Sequence, residues 1–159
     1  MRSSNMAAFA GIACAGFLLS GCGDKSSTEP SYADLSGRYT GNVAGVSNNV
    51  VIAGVFALIM TQSGAATSGT SEMNGFIGSG SAAPAFAVPG VAKGAVGSGV
   101  DPSFTVSLTS NACPTHTMTF AGTYQSANKR LVLNGTVEIY ASGTCAVSYS
   151  FPATLLLMK

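Results

Sequence analysis

Charge is the scarcest property of this sequence. Only 8% of its 159 residues are charged, and seven basic residues against six acidic ones leave a formal net charge of +1. Typical soluble domains carry about a quarter charged residues. A chain with this balance lacks the strong basic excess that nucleic-acid binding requires. We therefore expect no nucleic-acid partner.

The residues that usually perform chemistry are also scarce. The chain has one histidine, His116, and no tryptophan. A single imidazole without a C-x-x-C pair does not complete a zinc site, and neither a G-x-S-x-G elbow nor a phosphate-binding glycine loop occurs. We predict no catalytic residue, no metal site and no cofactor, so the chain is not expected to be an enzyme. A catalytic alternative would need His116 beside a carboxylate or a serine in a cleft.

The sequence also lacks an apolar run long enough to form a membrane-spanning helix. The longest run, residues 6–19, falls short of the roughly 20 residues that cross a bilayer as a helix. It follows a basic residue, Arg2, and it ends in the small residues Ser20 and Gly21. A basic start, a short apolar stretch and small residues at the end are typical of a secretory signal.

The signal runs directly into a cysteine. Leu19-Ser20-Gly21-Cys22 resembles the lipobox of bacterial lipoproteins, which reads Leu, small, small, Cys. The resemblance implies cleavage before Cys22, a diacylglyceryl group on its thiol and a fatty acid such as palmitate on its new N-terminus. It divides the chain into a signal peptide (1–21), a lipidated flexible tether (22–34) and one folded domain (35–159). An ordinary secretory signal with a chance cysteine is the alternative.

The lipobox resemblance also implies a location. Two or more acyl chains hold a protein lastingly on a membrane without crossing it, so we expect an envelope protein anchored on the periplasmic side. Gly23 follows Cys22 where enteric sorting would use Asp to retain a lipoprotein in the inner membrane. This favours the outer membrane, although Asp24 leaves the inner membrane open.

Only two of the four cysteines then remain in the folded domain with a free thiol. Cys14 would leave with the signal and Cys22 would be acylated, which leaves Cys113 and Cys145. Disulfides persist beyond the inner membrane. We therefore expect a Cys113–Cys145 disulfide.

The remainder of the chain alternates with a period of two and has almost no helical pattern. In "SFTVSLTS" and "RLVLNGTVEIY", apolar residues alternate with polar ones, and short turn-like segments separate such runs. This pattern is typical of half-buried antiparallel strands. We predict an all-β domain with strands near 37–46, 50–62, 66–78, 85–97, 103–112, 115–126, 130–141 and 146–158.

A meander of eight strands must close or fold over to protect its edges. The segments "LSGRYTGNV", "FALIMTQSG" and "ATLLLMK" resemble small bacterial lipoproteins with lipocalin-like or calycin-like barrels. The resemblance implies a closed barrel, with Tyr39 as the aromatic residue near its opening strand and Arg130 or Lys159 approaching that ring. A two-sheet sandwich is the alternative.

The predicted barrel interior allows two functions. Such a barrel either holds one small ligand or is filled by its own side chains. The residues expected to face inward are Tyr39, Phe56, Leu58, Phe104, Phe120, Tyr124, Tyr149 and Phe151. If they enclose a cavity, we expect a small apolar ligand. If they fill it, we expect a protein-interaction or structural envelope module, for example an inhibitor, that contacts another envelope protein.

The second strand is apolar on both faces. If Phe56, Leu58 and Met60 point inward, then Val51, Val55 and Ile59 point outward. Cover by a loop or by the disulfide-linked segment is one interpretation, and contact with a partner, a second copy or lipid is another. A membrane-spanning barrel is disfavoured because the fifth and sixth strands have threonine-rich outer faces.

Overall fold

The computed structural model describes residues 30–79, 83–141 and 144–159. The predicted signal peptide, the lipobox with Cys22 and most of the predicted tether lie outside the described residues. Within them, no helix has the length and apolar character needed to cross a membrane.

All eight predicted strands are present, and every boundary agrees within two residues. One short 3-10 turn, Ser126–Asn128, lies between the sixth and seventh strands. The strands are β1 (Gly37–Ser47), β2 (Val50–Ser63), β3 (Ala66–Ile77), β4 (Ala85–Val96), β5 (Ser103–Ser110), β6 (Thr117–Gln125), β7 (Arg130–Tyr140) and β8 (Val147–Met158).

The strands form one closed antiparallel barrel in simple meander order. Each strand pairs with the next one, and β1 pairs with β8 where Thr40 lies opposite Met158. The predicted all-β meander and its closure are confirmed, and the architecture is consistent with a small lipocalin-like barrel. The sandwich alternative is wrong, because the sheet closes on itself instead of folding into two layers.

The two prolines of the sheet lie where one neighbouring ladder has ended. Pro89 pairs with Glu72 of β3 but lies beyond the β4–β5 ladder, which begins at Gly90. Pro152 pairs with Thr136 of β7, and it lies far from the single β1–β8 pair. Because proline donates no backbone hydrogen bond, both are tolerated at these locally unpaired positions.

The meander gives the barrel two distinct ends. We call the end where the chain enters β1 the tether end; it also carries the β2–β3, β4–β5 and β6–β7 links and Lys159. The distal end carries the other four links. One of these, Asn48-Asn49, is a two-residue turn with both φ angles positive, 53° and 63°, as the tight hairpins of twisted strands require.

The Cys113–Cys145 disulfide closes the distal end. It joins the β5–β6 link to the β7–β8 link with a Cα–Cα separation of 5.3 Å, within the usual range for a disulfide. The predicted pairing is confirmed. It connects two links that the sheet itself does not pair.

The tether end is closed by aromatic packing. The ring of Tyr39 is fully buried and meets Tyr124 edge to face, with 6.5 Å between ring centroids. The Lys159 ammonium lies 5.9 Å from the Tyr39 ring centroid, so the expected cation over this aromatic is Lys159. Arg130 instead donates to Gln125 Oε1, at 3.1 Å from Nε and 2.6 Å from Nη2.

The segment before β1 also packs onto the tether end. Leu35 is fully buried, and its N–H donates to Gln62 Oε1 at 2.7 Å. Tyr32 and Ala33 are half-buried against the core. Packing therefore begins within the last residues of the predicted tether.

Candidate interaction surface and barrel interior

The interior is built by the inward residues of all eight strands. Among the predicted interior side chains, all but Tyr149 are buried. Tyr149 is half-buried and lies at the distal mouth, where β8 shifts register against β7 between Ile139 and Tyr140. The buried members of the predicted set are Tyr39, Phe56, Leu58, Phe104, Phe120, Tyr124 and Phe151.

These side chains leave almost no free space inside the barrel. The enclosed cavity measures about 10 Å³ and lies between Phe56 and Phe120, whose ring centroids are 6.4 Å apart. A cavity of that size holds one water molecule at most, whereas ligand pockets occupy about 300–1,000 Å³. The described interior is therefore a packed core.

Close backbone approach helps to achieve this packing. The ring of Phe151 lies over Gly45, and a Cβ at that position would overlap the ring. Glycine on β1 thus makes room for an aromatic side chain from the neighbouring β8. Glycine at this position therefore contributes to the filling of the core.

The outer face of β2 is exposed. Val51 and Val55 are each 51% exposed and Ile59 is 46% exposed, while Phe56, Leu58 and Met60 are buried. The predicted orientation of this strand is confirmed. The prediction of a covering loop or disulfide-linked segment is wrong for the described residues, since the disulfide lies across the β5–β8 side of the distal end.

Strand register extends this apolar surface over four strands. Val46 of β1 lies opposite Val51, and Phe76 of β3 lies between Ala53 of β2 and Ala85 of β4. Phe76 is 58% exposed. We call this surface the distal patch; its residues are Ala44, Val46, Val51, Ala53, Val55, Phe76, Ala85 and Ala87.

The distal patch is uncharged and contains a shallow groove. The groove measures about 480 Å³ and runs over the paired Gly54 and Gly75, with Val55 and Phe76 on its walls. Asn42 and Asn74 are the polar outward neighbours of Val55 in the strand register. Asn74 Nδ2 in turn donates to Glu72 Oε1 at 2.8 Å, so a partner would meet an apolar surface with amide groups and one carboxylate at its margin.

The distal mouth forms a second concave feature. It is a cleft of about 400 Å³ lined in part by Phe86, Tyr140 and Tyr149. The Tyr140 hydroxyl donates to Glu138 Oε2 at 2.9 Å. Burial, and then this carboxylate, raises the pKa of Tyr140 to about 12, so its hydroxyl keeps its proton at neutral pH.

His116 lies at the distal rim. Its ring centroid is 5.4 Å from that of Tyr140, and its Nδ1 is 3.2 Å from Thr115 Oγ1. Tyr140 thus stands between the histidine and the Glu138 carboxylate. Over the described ranges, no group of three or more metal-ligating side chains occurs. The prediction that the chain is not an enzyme stays a prediction.

Comparison of the chain with protein-family models, with curated proteins and with solved structures finds no match. The interpretation of its surfaces therefore depends on the geometry alone.

Sequence reasoning found the β2 part of the distal patch but missed its extension. Val46 and Phe76 belong to strands whose patterns are interrupted by glycine, so their outward direction is evident only once the register is known. The period of two did contain a signal for Phe76. Ser71 and Met73 occupy alternate, buried positions of β3, so Phe76, which is out of phase with them, points outward.

Proposed function

We propose that this protein is a lipid-anchored envelope lipoprotein whose barrel is a protein-interaction module. Its distal patch would bind another envelope protein. The observation that carries the proposal is the contrast between a filled interior, with about 10 Å³ of free space, and an apolar outer face that remains exposed.

The composition of the patch supports a protein partner. Interface cores are depleted in charge and enriched in aromatic residues, and the patch combines the exposed ring of Phe76 with valines and alanines. Soluble monomers rarely expose a large contiguous apolar patch without a binding role. At the distal patch β1, β2, β3 and β4 are paired with one another, so such a partner would bind side chains on the sheet face.

Photocrosslinking in intact cells tests this role. A photoreactive amino acid at Val51, in the patch, is expected to form one discrete protein adduct. The control is the same amino acid at Thr119, which is exposed on the outer face of β6. Adding Phe76→Asp should abolish the adduct, because a carboxylate would have to be desolvated in the interface. Equal adducts at both positions, or none at Val51, would contradict the proposal.

The lipid anchor has its own test. Cys22→Ala is expected to yield a chain without lipid mass that leaves the membrane fraction, because the acceptor thiol is lost. Cys14→Ala is the matched control, since that cysteine lies within the predicted signal and should leave lipidation unchanged. Lipid mass on the Cys22→Ala chain, or none on the wild type, would refute the anchor.

A second candidate function rests on the distal mouth. Its cleft of about 400 Å³ has the size of a small-ligand site, and Phe86, Tyr140 and Tyr149 give it aromatic walls. In this alternative a small apolar ligand binds in the distal mouth, where the buried Val88, Ser110 and Ile139 also line the cleft. Tyr149→Ala should then weaken ligand binding while leaving crosslinking at Val51 unchanged.

A further inference from the structure

The few charges of the described residues are unevenly distributed. All five cations, Arg38, Lys93, Lys129, Arg130 and Lys159, lie in the half of the barrel nearer the tether end. Two carboxylates lie at the same end: Asp34, which accepts the Ser36 N–H, and Asp101, which accepts the Ser126 N–H, both at 2.8 Å. The side chains thus give the tether half a positive excess.

Four of the cations converge where β7, β8 and β1 meet. The Lys159 N–H donates to the Lys129 carbonyl at 3.2 Å, which joins the end of β8 to the turn before β7. Arg130 lies opposite Met158 in the β7–β8 register. The Lys159 side chain lies against Gly37, so it reaches the start of β1 next to Arg38.

Exposed apolar side chains lie among these cations. Met158 is 51% exposed and Leu156 is 49% exposed on the outer face of β8. Ile59, 46% exposed, lies opposite Arg38 on β2. We call this group the tether corner; it consists of Arg38, Ile59, Lys129, Arg130, Leu156, Met158 and Lys159.

We propose that the tether corner docks on the anionic surface of the membrane that holds the lipid anchor. Cations next to exposed apolar side chains match the lipid interface, where headgroups are anionic and the acyl boundary is apolar. The distal patch has the apolar component without the cations, so it does not share this fit. The inference rests on the proposed anchor at Cys22.

The connection to the anchor makes this orientation accessible. Among the described residues before β1, Tyr32 packs against the core at the tether end. A segment from residue 22 to residue 32 spans at most about 35 Å when fully extended. A lipid on Cys22 would therefore hold the tether end within about that distance of the membrane. Val51 lies eight residues from Ile59 along β2, roughly 26 Å at 3.3 Å per residue, so docking by the tether corner would hold this part of the distal patch above the membrane surface.

Single-tryptophan quenching tests the orientation in the full lipidated chain. The native sequence has no tryptophan, and Met158 and Val51 are both 51% exposed, so Met158→Trp and Val51→Trp form a matched pair. Each variant is reconstituted in vesicles of phosphatidylcholine, alone or mixed with phosphatidylglycerol, with brominated acyl chains as the quencher. We expect quenching of Met158→Trp to rise when phosphatidylglycerol is present, while Val51→Trp stays unquenched.

Charge removal gives the second arm. Arg38→Gln with Lys129→Gln, added to Met158→Trp, should weaken docking by roughly fivefold for each cation removed and lower the quenching below that of Met158→Trp alone. Lys93→Gln, on the wall of β4, is the control and should change little. Equal quenching at both tryptophan positions would overturn the proposal. So would quenching at position 158 that changes neither with phosphatidylglycerol nor with the two substitutions. Flotation with phosphatidylcholine alone reports the anchor separately, so anchor and docking can fail independently.

Discussion

The distal half and the tether half of this barrel share one fold and one continuous core, but they differ in how their ends are closed and in the charge of their outer surfaces. The distal end carries the disulfide. On the outer face of β1–β4 near that end lies the distal patch, which consists of exposed apolar residues. At the tether end the described residues include no disulfide; Tyr39, Tyr124 and Lys159 close it, and every described cation lies in its half.

This difference lies in the distribution of charged and apolar side chains over the outer surface, because both halves share the same core. Alternating strands would form the same barrel with charges scattered evenly over its surface. Among the described residues, the cations instead lie in the tether half, while the apolar distal patch lies in the distal half. This uneven distribution is the basis for proposing two different surroundings, an anionic lipid surface for the tether corner and a protein surface for the distal patch.

Core truncations test whether the two halves are one cooperative unit. Phe151→Ala in the distal half should lower the free energy of unfolding by about 3–5 kcal/mol, and Leu157→Ala near the tether end by about 2–5 kcal/mol, because both side chains are buried. Chemical denaturation of each variant measures the loss. A single transition is expected in both cases, and two separate transitions would break the account of one continuous core.

Reduction of the disulfide tests the distal end. The bond closes a loop with a sequence separation of 32 residues, for which loop-closure entropy gives about 3–4 kcal/mol of stabilisation. Thermal melts with and without a reductant should differ accordingly, with Cys113→Ser plus Cys145→Ser behaving like the reduced protein. An unchanged melting temperature would mean that the bond does not constrain the unfolded chain.

Alkaline titration tests the distal rim. Because burial and Glu138 raise the pKa of Tyr140 from 10.0 to about 12, its protonated form is favoured in the folded state. The resulting stability is fully present below pH 10 and is lost as the pH rises toward about 12. Glu138→Gln should lower this pKa, as followed by tyrosinate absorbance with Tyr140→Phe as the blank. A pKa that does not respond would show that Glu138 does not contribute.

Two buried hydroxyls test the tether half. Tyr39 Oη and Thr67 Oγ1 have no hydrogen-bond partner among the described residues, and burial raises the pKa of Tyr39 above its usual range. Thr67→Val removes the hydroxyl while keeping the shape, so it should stabilise the fold by about 1 kcal/mol, and Tyr39→Phe should do the same if its hydroxyl is unpaired beside Tyr124. A loss of stability of similar size in denaturation experiments would instead indicate a bonded hydroxyl.

Most of the fold was predictable because a period of two determines both the strand positions and the face that each strand buries. Where the alternation is clear, as in β5 and β7, inward residues such as Phe104 and Leu133 are buried. Tyr149 keeps this register opposite Ile139, but it is only half-buried because it is the last inward residue of β8 before the register shifts at the distal mouth. Such a shift depends on pairing between strands, which a linear pattern does not contain.

The candidate surfaces were less predictable than the core. Pattern alone indicated that Val51 and Val55 face outward, but the distal patch also needs Phe76, which becomes their neighbour only through the β2–β3 register. The tether corner likewise joins residues of β1, β2, β7 and β8 that are far apart in the sequence. Whether aromatic residues fill a barrel or line a cavity depends on a volume balance to within one side chain.

Native mass spectrometry of residues 23–159, exported to the periplasm by an ordinary secretory signal, most directly tests the central claim that the barrel is a filled scaffold acting through its outer surfaces. The account predicts the bare chain, lighter than the reduced chain by the hydrogens lost in the Cys113–Cys145 bond. A stoichiometric small molecule that survives purification and is lost with Tyr149→Ala would contradict it and identify the distal mouth as a ligand site.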